Sequence, residues 1–168
     1  VAVKPYMVES VIGPLKEALK GKVLLSVAAG WDYQRYETIL DSSTRHLFIM
    51  PNTPALVGEG VMLLEEQNSL TEEEFRQAKT WCQAVGLVRV LPGELMDIGG
   101  TVSSCAPAFL SMVVESMADA GVMYGLPRQA AYELASQAMA GTGKMILEGG
   151  IHPAVLKDMV CSPKGSTI

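Results

Sequence analysis

The first ninety residues alternate between two hydrophobic patterns. Apolar residues recur at helical spacing over residues 7–19, 31–40 and 71–84. Between these segments lie short apolar runs that predict strands, at residues 1–3, 22–28, 47–50, 61–64 and 87–91. An uninterrupted run is typical of a strand buried on both faces, and the alternation of such strands with helices favours a mainly parallel sheet. We therefore predict an α/β fold for this part of the chain.

The pattern changes at Pro92-Gly93, beyond which no strand is predicted. Long helices are predicted over residues 107–124 and 128–148, and a last helix begins at Pro153. The first of them is apolar over most of its circumference and should be largely buried. Because three helices cannot bury this much apolar surface alone, we expect a partner chain, further helices, or both.

Composition narrows the class of protein. With 49% hydrophobic and 18% charged residues the chain is globular, and its net charge of −5 argues against a nucleic-acid surface. Cys82, Cys105 and Cys161 are too widely spaced for a disulfide framework or a CxxC metal site, and His46 and His152 lie far apart. We expect no metal site and a reduced, cytoplasmic setting. No membrane span is expected, because polar residues or glycine break the apolar stretches before about 20 residues.

Two predicted strands end in small residues that could line a ligand site. Ligands of open α/β sheets bind outside the carboxyl ends of strands, and small residues let a flat ring or a ribose lie against the backbone. Spacing alone favours ordinary strand-to-helix turns over such a site. The residues concerned are Ala2, Val3, Lys4, Pro5, Val27, Ala28 and Ala29.

A stiff loop, Met50-Pro51-Asn52-Thr53-Pro54, follows another strand. The amide of Asn52 offers both a donor and an acceptor to a ligand. A ligand-binding loop and an ordinary strand-ending turn are equally consistent with this composition.

Two hydroxyl-rich loops are predicted at residues 101–107 and 162–167. The first feeds into a helix whose amino end could hold a carboxylate, although a plain helix cap has the same composition. Cys105 has no nearby base and is predicted to be a buried, inert thiol rather than a nucleophile. His152 is predicted to be a helix cap or a packed side chain rather than a base, and Glu115 and Asp119 are predicted to be solvated or interfacial.

Four motifs occur in order along the chain: V-A-V-K-P, M-P-N-T-P, P-A-F…E-S-M-A-D-A-G-V…G-L-P-R and H-P-A-V-L-K-D-M-V-C-S-P-K-G-S-T-I. Taken together in this order, they resemble pyrroline-5-carboxylate reductase over essentially the whole chain. The resemblance implies reduction of an imine to proline with NADPH or NADH. It also implies a Rossmann domain, of which residues 1–93 would be the C-terminal part. An incomplete helical domain for substrate binding and dimerisation, residues 94–168, would follow and interlock with a second subunit.

The resemblance also assigns site residues. Ala2 to Pro5 and Val27 to Ala29 would line the cofactor. Thr167 matches the family's threonine near the imine nitrogen and is the predicted catalytic residue. The residues implied to bind the substrate are Ser104, Ser162, Gly165, Ser166 and Thr167.

The chain departs from the family pattern at several positions. The G-x-G-x-x-G phosphate loop is not found, so NADPH and NADH cannot be told apart, and we expect a chain truncated at both ends and inactive alone. Ser104, Cys105 and Ala106 replace the family's G-S-G, Phe48 stands where arginine is common, and Lys164 replaces a glycine. Lysine disfavours a positive φ, so that loop either differs or does not require one.

Two alternatives remain open. The chain could serve only as a helical dimerisation module without catalysis. It could also be a related imine or β-hydroxyacid dehydrogenase, whose catalytic lysine would be Lys144 or Lys157, although neither lies in a G-x-x-x-N-x-x-K setting.

Overall fold

The computed structural model describes all of Val1–Ile168 and divides into two compact units, Val1–Ala108 and Phe109–Ile168. The first unit contains α1 (Val8–Leu19), β1 (Val23–Ser26), α2 (Tyr33–Ile39), β2 (Arg45–Pro51), β3 (Gly60–Glu65), α3 (Glu72–Gln83), β4 (Gly86–Leu91) and α4 (Gly93–Ser103). After these come α5 (Ala106–Met123), α6 (Arg128–Gly149) and α7 (Pro153–Val160).

The four strands form one sheet in the order β1-β2-β3-β4. The α/β class is confirmed, and β1 with β2 and β3 with β4 are parallel pairs. One pairing was not predicted, because β2 and β3 run antiparallel, with Met50 opposite Leu63. Only residues 52–59 connect these two strands. A parallel pairing needs a crossover of about a dozen residues or more, so the short link forces the chain to reverse.

The predicted strand at residues 1–3 is not found as a strand. Val1 nevertheless lies beside β1, since its carbonyl accepts a hydrogen bond of 2.9 Å from the Val27 amide and its amino group donates to the Leu25 carbonyl. The expectation that β1 is buried on both faces is also wrong. Burial alternates along it, with Leu24 and Ser26 buried and Val23 exposed.

Three apolar clusters hold the elements of the first unit together. One joins β1 to α1 and α2 through Val8, Ile12, Leu24, Ala28, Trp31, Tyr36 and Leu40. A second joins the sheet to α3 through Leu47, Ile49, Met62, Leu64, Ala78, Cys82 and Val88. The third packs Met96 of α4 against Phe48 and Leu63. Phe48, which stands where the family often has arginine, is therefore a core residue.

Helix α4 replaces part of the loop predicted at residues 101–107. The Thr101 hydroxyl donates to the Asp97 carbonyl at 3.0 Å and the Ser103 hydroxyl to the Gly99 carbonyl at 2.8 Å. These bonds to the preceding turn let hydroxyl residues remain inside a helix. The apolar contact of Met96 with the sheet, which local composition does not reveal, supplies the stabilisation.

The second unit contains the predicted helices, but their apolar surface is not buried within the chain. Phe109, Met112 and Leu134 are 58%, 65% and 60% exposed. The prediction that the helix from Pro107 is largely buried therefore does not hold for the single chain. By length and composition the stretch Gly93–Met123 could also cross a membrane, which is weak evidence because interior helices of other proteins pass the same test. In the structure it is two helices, which separate at Ser104 and Cys105.

An ion pair at the amino end of α3 is expected to make the stability of the folded protein sensitive to acid. Arg45 binds both carboxylate oxygens of Glu74, with Nε–Oε2 and Nη2–Oε1 distances of 2.8 Å, while Glu74 also accepts the Thr71 amide in a capping box. These hydrogen bonds, of which the one from Arg45 has the largest effect, lower the pKa of the Glu74 carboxyl from 4.5 to about 2. A carboxyl group whose pKa is lower in the folded than in the unfolded state stabilises the protein at pH values above its unfolded-state pKa. This stabilisation is lost as the pH falls through the folded-state pKa.

We therefore expect the free energy of unfolding to fall between pH 4.5 and about 2, and Glu74→Gln to flatten that fall while lowering stability at neutral pH. Urea unfolding at a series of pH values measures both effects. Glu73→Gln is the matched control, because Glu73 lies in the same turn and pairs only with exposed Arg76. An unchanged pH profile in the Glu74 variant would contradict the assignment.

Candidate functional site

One cavity of about 320 Å³ gathers the residues predicted to bind a cofactor. Its walls come from the segment before α1 and from the turn after β1. The lining residues are Ala2, Val3, Lys4, Pro5, Val27 and Ala29. Ala28 is the exception, because its side chain is 1% exposed and packs in the apolar cluster between β1 and the helices. Burial alternates past the end of β1, so Ala28 lies on the same side as buried Leu24 and Ser26 while Val27 lies on the other, and Ala29 belongs to the turn that follows.

The two walls of this cavity are joined by hydrogen bonds. The Val27 amide donates to the Val1 carbonyl at 2.9 Å, and the indole nitrogen of Trp31 donates to the Pro5 carbonyl at 2.9 Å. The turn itself closes through a 3.1 Å bond from the Trp31 amide to the Ala28 carbonyl. Gly30 takes a φ of +72°, a left-handed conformation in which a side chain is disfavoured.

Asn52 serves the fold rather than an open site. Its amide nitrogen donates to the Ser103 carbonyl at 3.0 Å, and its oxygen accepts the Val61 amide at 2.8 Å. One side chain thus ties the end of β2 to α4 and to β3. Of the two interpretations of the M-P-N-T-P loop, these bonds favour the structural one.

The polar groups at the junction between α4 and α5 form hydrogen bonds to backbone carbonyls of the chain. The Ser104 hydroxyl donates to the Pro51 carbonyl at 3.1 Å, and the amides of Ser104 and Cys105 both donate to the Gly100 carbonyl. Binding of a carboxylate by Ser104 would require that hydroxyl to leave Pro51, so its substrate role stays a prediction. Cys105 is exposed, which corrects the expectation of a buried thiol.

The loop after α7 is a tight turn in the second unit. The Gly165 amide donates to the Ser162 carbonyl at 2.9 Å, with Pro163 and Lys164 between them. Lys164 has a φ of +62° and is the sole non-glycine residue with a positive φ. The position therefore does adopt the left-handed conformation for which glycine is suited, and lysine accepts it.

The remaining candidates of this unit are exposed side chains. Ser162, Ser166 and Thr167 are all exposed, and their roles toward a substrate stay predictions. Of the two roles predicted for His152, a helix cap or a packed side chain, the structure shows the cap, since its Nδ1 accepts the Ala154 amide at 3.2 Å. Lys157, one of the two dehydrogenase-type candidates, forms a 3.0 Å ion pair with Asp158.

A buried polar group near the cavity was missed by the sequence predictions. Ser26 and Tyr36 are fully buried, and their hydroxyls lie 2.6 Å apart. Glu65 is also buried and accepts the Tyr33 amide at 2.8 Å, and its burial raises the pKa of its carboxyl. The signal in the sequence was a serine and a glutamate at the ends of otherwise apolar strands.

A sheet covered by helices, followed by a helical unit with exposed apolar faces, places the chain in the class of α/β proteins with an additional helical domain. Residues 93–168 match the family model described as pyrroline-5-carboxylate reductase dimerisation. Pyrroline-5-carboxylate reductases of Treponema pallidum and Schizosaccharomyces pombe are each 40% identical to the chain over 99% and 98% of its length. The chain spans 65% and 59% of the lengths of those relatives.

A solved structure agrees with these relatives. The Plasmodium falciparum pyrroline carboxylate reductase, crystallised with NADP bound, matches with a TM-score of 0.89 and 31% identity. The match covers 98% of this chain and 66% of that one. The chain belongs to the pyrroline-5-carboxylate reductase family.

Proposed function

We propose that this protein is an oxidoreductase that reduces 1-pyrroline-5-carboxylate to L-proline with NADPH or NADH, in the cytoplasm. The observation that carries the proposal is the cavity formed by Ala2–Pro5, Val27 and Ala29, in a chain 40% identical along its length to curated reductases. The NADP bound to the Plasmodium falciparum relative supports a dinucleotide as the ligand.

The residues present fit part of a dinucleotide. A volume of about 320 Å³ lies at the small end of ligand pockets and suits a ring and its ribose rather than a whole cofactor. The walls are backbone and small aliphatic side chains, against which a flat ring can lie, and Lys4 supplies the one charged side chain. A bound reduced nicotinamide supplies the hydride, and that chemistry belongs to the cofactor.

The contribution of the protein is then to hold and orient the substrate. Ser162, Gly165 and Ser166 would hold the ring and its carboxylate through hydroxyl and backbone donors. The Thr167 hydroxyl would orient the N–H of the protonated imine, for which it is a hydrogen-bond acceptor and not an acid. Correct positioning of the two reactants can supply roughly 7–11 kcal/mol of the barrier reduction.

The apolar helix faces support a homodimer. Phe109, Met112 and Leu134 are more than half exposed in the single chain, on helices that fall within the segment matched by the dimerisation model. Burial of this apolar surface against a second copy would stabilise the dimer by about 25 cal/mol for each Å² removed from water. A dimerisation module without catalysis shares this feature, so turnover is what separates the two functions.

The proposal is tested by following the oxidation of NADPH and of NADH with 1-pyrroline-5-carboxylate, using the protein as its gene encodes it. We expect oxidation of NADPH or NADH that depends on this substrate. We expect no reduction of the oxidised cofactors when β-hydroxyacids are supplied instead. Lack of turnover by folded, dimeric protein would overturn the proposal in favour of the dimerisation module. Turnover with β-hydroxyacids alone would favour the dehydrogenase alternative.

Thr167→Val is expected to lower kcat by about 10- to 100-fold, equivalent to roughly 1.4–2.7 kcal/mol of transition-state stabilisation. The change keeps the shape of the side chain but removes the oxygen that would accept a hydrogen bond from the N–H of the protonated imine. Thr80→Val, which alters an exposed threonine on α3 bonded to the Arg76 carbonyl, is the control and should leave kcat unchanged. Equal rates for the Thr167 variant and the unaltered protein would remove this residue from the mechanism.

A further inference from the structure

We propose that Ser26 and Tyr36 are positioning residues that set one wall of the cofactor cavity, an inference that rests on the proposed function. Ser26 is the last residue of β1, and its hydroxyl oxygen accepts the Ala28 amide at 3.2 Å. The same oxygen lies 2.6 Å from the Tyr36 hydroxyl. Because Val27 and Ala29 line the cavity on either side of that amide, the bond to Ser26 fixes how the two side chains project.

Tyr36 is itself held on both sides, so its hydroxyl is a fixed anchor. Its ring lies 5.2 Å from that of Trp31 and 5.6 Å from that of His46. His46 is held in turn by a 2.8 Å bond from Nε2 to Glu37 and by stacking on Tyr33 at 4.9 Å. Both Ser26 and Tyr36 are fully buried, where a hydroxyl without a partner is costly.

The same aromatic group reaches the opposite wall of the cavity. Trp31 packs on Tyr36 and donates from its indole nitrogen to the Pro5 carbonyl at 2.9 Å. Pro5 is a lining residue, as are Val27 and Ala29. The hydroxyl pair therefore orders the turn after β1, while Trp31 ties that turn to the segment before α1, and the spacing between the walls depends on both.

The pair is tested by cofactor affinity, measured by fluorescence titration with NADPH, and by kcat with 1-pyrroline-5-carboxylate. Ser26→Ala removes the partner of the Ala28 amide and of the Tyr36 hydroxyl together. We expect it to raise the Kd for NADPH by about tenfold, as for the loss of one to two buried hydrogen bonds. At saturating cofactor kcat should change by less than about twofold, since the reacting groups are untouched.

Two further variants separate positioning from stability. Tyr36→Phe removes a single oxygen and should raise the Kd by about threefold. The double variant should bind NADPH no more weakly than Ser26→Ala alone, because both changes break the same hydrogen bond. Thr44→Val is the matched control, because it removes a buried bond to the Leu19 carbonyl just before β2, at the other end of that strand from the cavity. It should lower stability and leave the Kd unchanged.

The outcomes decide separately on this proposal and on the proposed function. An unchanged Kd in the Ser26 variant would overturn the positioning role while leaving the proposed function intact, as would an equal rise in Kd for Thr44→Val. If Ser26→Ala does not fold, Tyr36→Phe decides, and an unchanged Kd there overturns the role. Failure of the unaltered protein to bind NADPH or NADH would overturn the proposed function and this proposal together.

Discussion

Replacement of Gly86 by alanine is expected to cost about 3–5 kcal/mol of the free energy of unfolding of the first unit, among the largest effects of a single substitution. Gly86 and Gly60 are paired as the first residues of the parallel strands β4 and β3. A Cβ on Gly86 would overlap the carbonyl group of Gly60 and lie 2.6 Å from its nitrogen. These are backbone atoms within a hydrogen-bonded ladder, so they cannot rotate away as a side chain would, and the strands must separate at this end.

Urea unfolding of the variant measures this cost, with Gly13→Ala as the control. Gly13 lies within α1, and outside its own helix a Cβ there would meet no atom within 4 Å. Alanine there should change stability by less than about 1 kcal/mol, because the gain in helix propensity is offset by crowding against the ring of Pro14, so the same chemical change has very different costs at the two sites. Similar unfolding midpoints for the Gly86 variant and the unaltered protein would contradict the close approach of β3 and β4.

Ala29→Leu is expected to weaken NADPH binding by at least about 30-fold, or roughly 2 kcal/mol, without an appreciable change in stability. Ala29 lines the cavity of about 320 Å³ after β1, and its side chain is exposed to that space rather than to the core. Leucine would occupy the volume that a ring needs, yet it would disturb none of the apolar clusters. Its effect on binding should therefore exceed that of Ser26→Ala, which only loosens the wall.

The measurement is a titration of the folded variant with NADPH, together with its unfolding midpoint. Ala18→Leu, on an exposed position of α1, adds the same side chain away from the cavity and should bind cofactor normally. A Kd for the Ala29 variant equal to that of the unaltered protein would show that the cofactor binds elsewhere, and would remove the main support for the proposed site.

Most of the first unit could be predicted because its signals are local. The sequence T-E-E-E predicts the start of α3, and the structure contains the capping box between Thr71 and Glu74. The apolar runs predict β2, β3 and β4, and each forms within a few residues of its expected place. The domain boundary after residue 93 stays a prediction, although the match to the dimerisation model begins there and the compact unit ends at Ala108.

The candidate site was predictable in part. The residues predicted to bind a cofactor were chosen at the ends of strands, where α/β sheets generally bind ligands, and the cavity contains all of them except Ala28. The hydroxyl pair of Ser26 and Tyr36 could not be predicted, because the two residues are ten positions apart and only the packing of α2 on β1 brings them together. The hydrogen bond from the Ser104 hydroxyl to the Pro51 carbonyl could not be predicted for the same reason, since 53 positions separate the two residues.

The sequence by itself determined the α/β class, the order of most strands and helices, and the family, because short-range periodicity, caps and motifs are written in neighbouring residues. Tertiary structure decided the rest: the antiparallel pairing of β2 with β3, the helical state of α4, and the hydrogen bonds that join the cavity walls. Each of these depends on contacts between residues distant in the chain, such as Met96 with Phe48 and Trp31 with Pro5. Whether such residues meet depends on how the elements pack, which no local pattern encodes.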